Sequence, residues 1–301
     1  MTLLPGFTLT DIETSGARIR LRHGGSGPGL LLLHGNPLTH LAWHKLMPDL
    51  ARHFHVVAAD LRGYGDSSAP PEAEDHANYA FRAMAADQVE VMRALGHVRF
   101  FVAGHDRGAR TVHRMCLDHP DAVMRAALLD IVPTLDMWAA MDQAGALGAW
   151  HWSFMAQPAD LPERMMGSVP AEWFLRHKLL KLTASLDHIP PAIWTEYVRC
   201  FNEKTIRGSC ADYRAAATVD CALDRADLHR RLAMPLLVLW GERSSVGRRF
   251  ADPLGLWRAR AENVRGEALA CGHYVNEEAP EAVLGWFLRF FVPPIPPPPV
   301  P

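Results

Sequence analysis

The chain has 301 residues, 49% of them hydrophobic, with a formal net charge of −2 and a pI of about 6.8. Its length allows a substantial buried core, and its balanced charge offers no basic field for nucleic acid or an anionic membrane. The five cysteines (116, 200, 210, 221 and 271) are scattered, odd in number and without a Cys-x-x-Cys pair, which argues against a disulfide framework or a zinc knuckle.

Residues 1–16 lack a basic start followed by an apolar core, so no secretory signal is expected there. No run approaches the roughly 18 apolar residues of a membrane span, and a soluble, cytoplasmic protein is expected. Residues 7–14 and 18–22 have the pattern of opening strands. The following Gly24-Gly25-Ser26-Gly27-Pro28-Gly29 lacks Gly-Lys-Ser/Thr and precedes a strand, which makes it a turn and not a phosphate cradle. The apolar run 30–33 leads into His34-Gly35-Asn36-Pro37, where a small-residue turn can aim backbone N–H groups into a cleft. His40 and His44 are four apart, but without a carboxylate between them or a third ligand nearby they read as surface or structural histidines.

Residues 55–59 form the next strand, ending in Asp60-Leu61-Arg62-Gly63-Tyr64-Gly65-Asp66-Ser67, a structural loop with its charges among turn residues. Ala85, Val89, Met92 and Leu95 mark one face of a helix that Gly96 ends. Residues 100–103 read as a short buried strand, and Ala109, Val112 and Cys116 then recur at helical spacing. Between them lies Gly104-His105-Asp106-Arg107-Gly108, the Gly-x-Asp-x-Gly form of a nucleophile elbow with a carboxylate where a serine more often stands. Its glycines permit a turn too tight for side chains, which pushes Asp106 into a cleft. At a helix start, free N–H groups and the dipole favour the ionised carboxyl, and such a carboxylate can attack carbon. Residues 126–129 form another buried strand, ending in Asp130-Ile131-Val132-Pro133.

From 134 to 212 strand-like runs vanish, and tryptophan, methionine and short helical patterns broken by prolines take over. This predicts a helical cap inserted into an α/β core made of residues 1–133 and 213–292, most of its aromatics serving as packing. Such a cap would shut water out of a cleft beneath it. The sheet resumes over 235–241, and 264–269 supplies the last strand before Cys271-Gly272-His273-Tyr274. Val283, Trp286, Phe287 and Phe290 give a closing helix, and 293–301 is an extended proline-rich tail.

Asp106, Asp130 and His273 each follow a predicted strand, and in a parallel sheet such positions gather at the carboxyl edge where clefts lie. They give the order nucleophile, acid, histidine. Glu242 is the rival acid and ranks behind Asp130. Arg107 and Arg110, three apart at the helix start, can face the same side as Asp106 and match a carboxylate's two oxygens; the alternative is a salt-bridged surface pair.

These motifs carry a resemblance, over about residues 18–291, to the α/β-hydrolase superfamily and within it to the haloacetate (fluoroacetate) dehalogenases. It is densest in Asp60–Gly65, Gly104–Gly108, Leu129–Thr134, His151-Trp152 and Gly208–Arg214, the last two in and just after the predicted cap. The resemblance implies an α/β-hydrolase fold and a reaction in which Asp106 displaces halide from the carbon next to a carboxylate. His273, oriented by Asp130, would then activate water against the resulting ester. It implies Arg107 and Arg110 as carboxylate ligands, the backbone N–H groups of Asn36 and Arg107 as the oxyanion hole, and His151, Trp152 and Tyr213 as the halide pocket. It implies no cofactor or metal, a small haloacid as partner, and is compatible with a homodimer. One position departs from the pattern: these dehalogenases usually carry His-Gly-Phe-Pro where this chain has His34-Gly35-Asn36-Pro37. Asn there resembles haloalkane dehalogenases, which place Trp, not Arg, after the nucleophile. Epoxide hydrolases share the aspartate but need paired cap tyrosines, for which Tyr213 and Tyr197 are the candidates. A ligand receptor on a retired hydrolase fold is the alternative outside enzymes, and the intact set of Asp106, Asp130 and His273 argues against it.

Overall fold

The computed structural model describes residues 3–292; the tail expected at 293–301 lies outside the described residues. Eight strands make one sheet: β1 Thr8–Glu13, β2 Arg18–Gly24, β3 Gly29–Leu33, β4 His55–Ala59, β5 Phe100–His105, β6 Val123–Leu129, β7 Leu236–Gly241 and β8 Val264–Leu269. Their spatial order is β1-β2-β4-β3-β5-β6-β7-β8. The β1–β2 hairpin and the β2–β4 pair are antiparallel, and every other neighbouring pair is parallel. Every residue of β3, β5 and β7 is buried, the pattern of parallel strands covered on both faces.

The order of winding positions the site. From β3 the chain steps outward to β4, then crosses back over β3 to β5. The loops leaving β3 and β5 therefore diverge at the carboxyl edge and open a crevice between them. His34–Pro37 forms one lip of that crevice and Asp106 the other.

Between β6 and β7 helices joined by loops replace the strands, with Trp150–Met155, Leu161–Gly167, Ala171–Leu180, Pro191–Cys200 and Glu203–Ala217 among them. The prolines start helices there as well as ending them. Pro162 and Pro191 occupy first-turn positions and Pro170 and Pro190 cap them, where a missing N–H costs nothing. The division expected after 212 falls inside Glu203–Ala217, which continues because no residue from Gly208 to Ala217 breaks it.

That helix meets the core at a backbone crossing. A Cβ on Gly208 would stand 2.5 Å from the Cα of Gly63, so only glycine lets the helix come this close. Around the crossing, the Asp60–Ser67 loop is structural, as predicted. Asp60 is fully buried and accepts hydrogen bonds from the backbone and ring of His40 (2.7 and 2.9 Å) and from Asp66 N (2.9 Å). His40 is thereby a structural histidine. The five cysteines are free and buried, and among the described residues no helix is long and apolar enough to cross a membrane.

Gly208→Ala should destabilise the protein by about 1–3 kcal/mol in urea unfolding, because backbone must move to admit the methyl group. Gly285→Ala, inside the helix Pro280–Phe291 and 3.4 Å from only the Arg289 guanidinium, should instead be neutral or stabilising by about 0.5–1 kcal/mol. Equal effects of the two substitutions would remove the special role of the Gly63–Gly208 crossing.

Candidate active site

Asp106 stands at the end of β5 and caps the helix Arg107–Asp118 with φ 49° and ψ −115°. This backbone is strained for any residue with a side chain, and its surroundings enforce it. A Cβ on Gly104 would lie 2.5 Å from the Gly108 carbonyl oxygen, and one on Gly108 would lie 2.5 Å from that of His34. The elbow is thus wedged between β3 and its own helix.

The carboxylate is held at one oxygen and faces the imidazole with the other. Asn36 N donates to Asp106 Oδ1 at 2.9 Å, and His273 Nε2 is 4.0 Å from Oδ2. The second expected oxyanion donor, Arg107 N, makes no hydrogen bond to that carboxylate. Burial opposes ionisation of Asp106, but His273, Arg107 and the Asn36 N–H together hold its carboxyl well below the usual range.

His273 Nδ1 is 2.5 Å from Asp130 Oδ2, which fixes the ring. Asp130, itself at φ 52°, accepts from Gly241 N (2.9 Å) and Ser244 Oγ (2.6 Å) through its other oxygen. Burial disfavours the imidazolium, yet the hydrogen bond and charge of Asp130, with Asp106 beyond, raise the His273 pKa above its ordinary value. Asp130, not Glu242, is the acid that meets His273. His105 backs the ring, its centroid 4.6 Å from that of His273 and its Nε2 2.8 Å from the His273 carbonyl. Burial brings His105 down to about 4, so it stays neutral.

The two arginines differ from one another. Arg107 is fully buried and committed to Asp212, through Nε to Oδ2 at 2.8 Å, Nη2 to the carbonyl at 3.1 Å, and a close Nη2–Oδ1 pair. Its guanidinium carbon lies 4.2 Å from the Tyr213 ring and 4.7 Å from that of Phe81, leaving Nη1 buried without a partner. Arg110 has only neutral partners, the Val132 carbonyl (3.1 Å) and Thr134 Oγ1 (3.0 Å), and lies 4.6 Å from the Trp152 ring. Burial and the neighbouring Arg107 lower its pKa to about 10, and it remains charged at neutral pH. Neither is a surface salt-bridge residue.

His151, Trp152 and Tyr213 come together in the buried roof, Tyr213 being 5.8 Å from His151 and 6.2 Å from Trp152 between ring centroids. Burial, then the charge of Lys178, keeps His151 neutral. Tyr197 is held elsewhere: its hydroxyl donates to Glu277 Oε1 at 3.1 Å. A cavity of about 910 Å³ also lies apart, along the Ile206, Arg207, Ala211 and Arg214 side of helix Glu203–Ala217. Ser209, Asp212 and Tyr213 occupy the opposite side of that helix, toward Asp106.

Several site residues have no assigned role in the sequence reading. Tyr64 donates to Asp212 Oδ2 at 2.6 Å and receives Asn36 Nδ2 at 3.3 Å, while Ser209 Oγ receives the same amide at 3.2 Å. Lys178, buried on the helix Ala171–Leu180, donates to Asn36 Oδ1 and stands 3.7 Å from Met155 Sδ. Burial lowers its pKa to about 8, partly opposed by Asp106. Its signal was legible: Lys178 occupies the same helical face as the apolar Phe174, Leu175 and Leu179.

The arrangement brings together the Asp106 carboxylate, an Asp-oriented imidazole and a cationic, donor-rich roof. A profile of the alpha/beta hydrolase fold matches residues 28–280. A fluoroacetate dehalogenase of a Burkholderia species is 42% identical over 280 residues, covering 93% of this chain and 92% of that one. A soluble epoxide hydrolase of Corynebacterium sp. (strain C12) is 32% identical over 287 residues, covering 93% and 95%. Among solved structures, a candidate alpha/beta hydrolase from Nostoc sp PCC 7120 superposes with a TM-score of 0.93 at 48% identity, covering 95% and 98%. The chain belongs to the α/β hydrolase family and, within it, to the haloacetate dehalogenase family.

Asp212→Asn should cost about 3–5 kcal/mol in urea unfolding, since it strips Arg107 of its counter-charge in a buried setting. Glu172→Gln, which breaks the exposed pair with Arg176, should cost no more than about 1 kcal/mol. A small loss for Asp212→Asn would mean that the Arg107–Asp212 pair is not what ties the cap to the elbow.

Proposed function

We propose that this enzyme hydrolyses haloacetates, fluoroacetate and chloroacetate among them, to glycolate and halide. The observation that carries the reading is the placement of Asp106 Oδ1 against Asn36 N with Oδ2 turned toward His273. Oδ2 attacks the carbon bearing the halogen; the C–O bond forms as the carbon–halogen bond breaks, and the halide leaves with the bonding electrons. Oδ1 becomes the ester carbonyl oxygen and is already on the donor that stabilises it when water attacks Asp106 Cγ. His273 takes that water's proton, Asp130 stabilises the imidazolium, and collapse restores Asp106 and frees the hydroxy acid.

Arg110, charged and without a carboxylate partner, suits the substrate carboxylate. Arg107 acts alongside it through its unpartnered Nη1, with Asp212 fixing its plane. His151, Trp152 and Tyr213 supply N–H and O–H donors to the departing halide. Neutral epoxides fit less well, because Tyr197, the second candidate cap tyrosine, is turned to Glu277. The free, buried cysteines suit a cytoplasmic setting.

His273→Asn should release about one equivalent of fluoride or chloride per enzyme and then stop, with mass spectrometry finding a carboxymethyl group on Asp106. Continued turnover by that variant, or turnover of neutral haloalkanes and epoxides with none of haloacetates, would overturn the assignment. Arg110→Gln should chiefly raise KM for haloacetates, by about tenfold or more if one charge-assisted contact is lost.

The hydrolytic step needs neutral His273, whose pKa in the free enzyme is raised above its ordinary value by Asp130 and Asp106, so kcat should fall as pH drops through that of the ester form. Esterification removes the charge of Asp106, which is one support for the imidazolium. The inflection in kcat should therefore lie below the His273 pKa measured by NMR in the free enzyme, and the reverse order would contradict the scheme.

A further inference from the structure

Counting charge around Asp106 exposes a cation that the reaction described so far does not use. Arg107 is neutralised by Asp212, and Asp130 is satisfied by His273, Gly241 N and Ser244. Arg110 and Lys178 are left as buried cations held only by neutral groups. Against them stands one anion, Asp106. A haloacid brings a second negative charge with its carboxylate. On displacement the charge of Asp106 passes to the halide, so the product state holds two separated anions, and Arg110 can sit beside only one of them.

Lys178 is placed for the other. Its ammonium reaches from the cap to Asn36 Oδ1, and the same Asn36 holds Asp106 through its backbone N–H. It lies 5.9 Å from the Tyr213 ring centroid, and its other neighbour, Met155, is one helical turn beyond His151. The ammonium therefore lies near the Tyr213 ring, and its charge is felt at His151. Asn36 supplies its anchor: the amide nitrogen is turned to Tyr64 and Ser209, which leaves the oxygen to accept from Lys178.

We infer that Lys178, positioned by Asn36, is a specificity-determining residue that stabilises the departing halide by its charge, fluoride above all. Fluoride is the smallest halide and concentrates the transferred charge most, so it gains most from a nearby cation; bromide leaves readily without one. The ammonium keeps its proton throughout. This inference rests on the haloacetate reading above.

The test compares kcat/KM for fluoroacetate and bromoacetate, which reports steps up to carbon–halogen cleavage, in wild type, Lys178→Met and Lys178→Arg. Met keeps the length and apolar stem; Arg keeps the charge. Lys178→Met should lose about tenfold or more on fluoroacetate than on bromoacetate, as expected for one charge-assisted interaction, and Lys178→Arg should recover most of the ratio. Equal losses on both substrates would reduce Lys178 to a structural residue and overturn the inference. Should the Met variant not fold, an unchanged fluoride-to-bromide ratio in Lys178→Gln would overturn it equally. Wild-type enzyme that releases halide from neither haloacetate removes the haloacetate reading and this inference with it, whereas wild-type turnover with an unaltered ratio removes only the role of Lys178.

Discussion

Asp106 occupies a backbone conformation, φ 49° and ψ −115°, that costs on the order of 1–3 kcal/mol and persists only if its surroundings over-determine it. They do so by contact. β3 presses on Gly108 from one side, the helix that follows presses on Gly104 from the other, and no side chain fits at either glycine. The strain has a chemical product: a carboxylate lifted out of the sheet edge, with one oxygen on Asn36 N and the other facing His273. Because the elbow lies where the winding of the sheet reverses, the loop that must supply Asn36 is the one immediately beside it.

The cap is joined to this elbow by polar groups as much as by apolar packing. Gly208 crosses Gly63 closely enough that Asp212, one turn further along the same helix, reaches Arg107, while Ser209 reaches Asn36. Lys178 makes a second bridge from another cap helix. Tyr64 joins the two by donating to Asp212 and accepting from Asn36. A buried ion pair is a weak source of stability, but it fixes geometry, since either partner alone would be costly. Here it fixes the plane of a guanidinium beside Asp106. Arg110 and Lys178 are the cations beside Asp106 that remain without a carboxylate partner.

The sequence made the sheet legible because its strands are short apolar runs bounded by glycine, proline and polar turns. The triad followed because Asp106, Asp130 and His273 each close such a run. Arg110 is legible from its spacing to Arg107, whereas His151, Trp152 and Tyr213 are brought together by a resemblance that no periodicity supplies. What stayed hidden was pairing. Nothing in the local sequence shows that Arg107 spends its charge on Asp212, or that Lys178 finds Asn36; those facts depend on how the helices of the cap meet the loops of the core. The boundary expected at 212 failed for a related reason, because the residues of the site are carried on a helix that starts in the cap and runs past it. Asn36, an oddity in the sequence, became intelligible only as the acceptor for Lys178.

Isotope transfer in a single turnover reads out whether Asp106 itself becomes covalently bound. With enzyme in excess over a haloacetate in H₂¹⁸O, water attacks Asp106 Cγ and not the substrate carbon. The hydroxy acid should then carry an unlabelled new hydroxyl oxygen, drawn from Asp106, and the peptide that contains Asp106 should carry one ¹⁸O atom. Label in the hydroxyl of the first-turnover product, with none on the enzyme, would mean that water displaces the halide directly and would contradict the account.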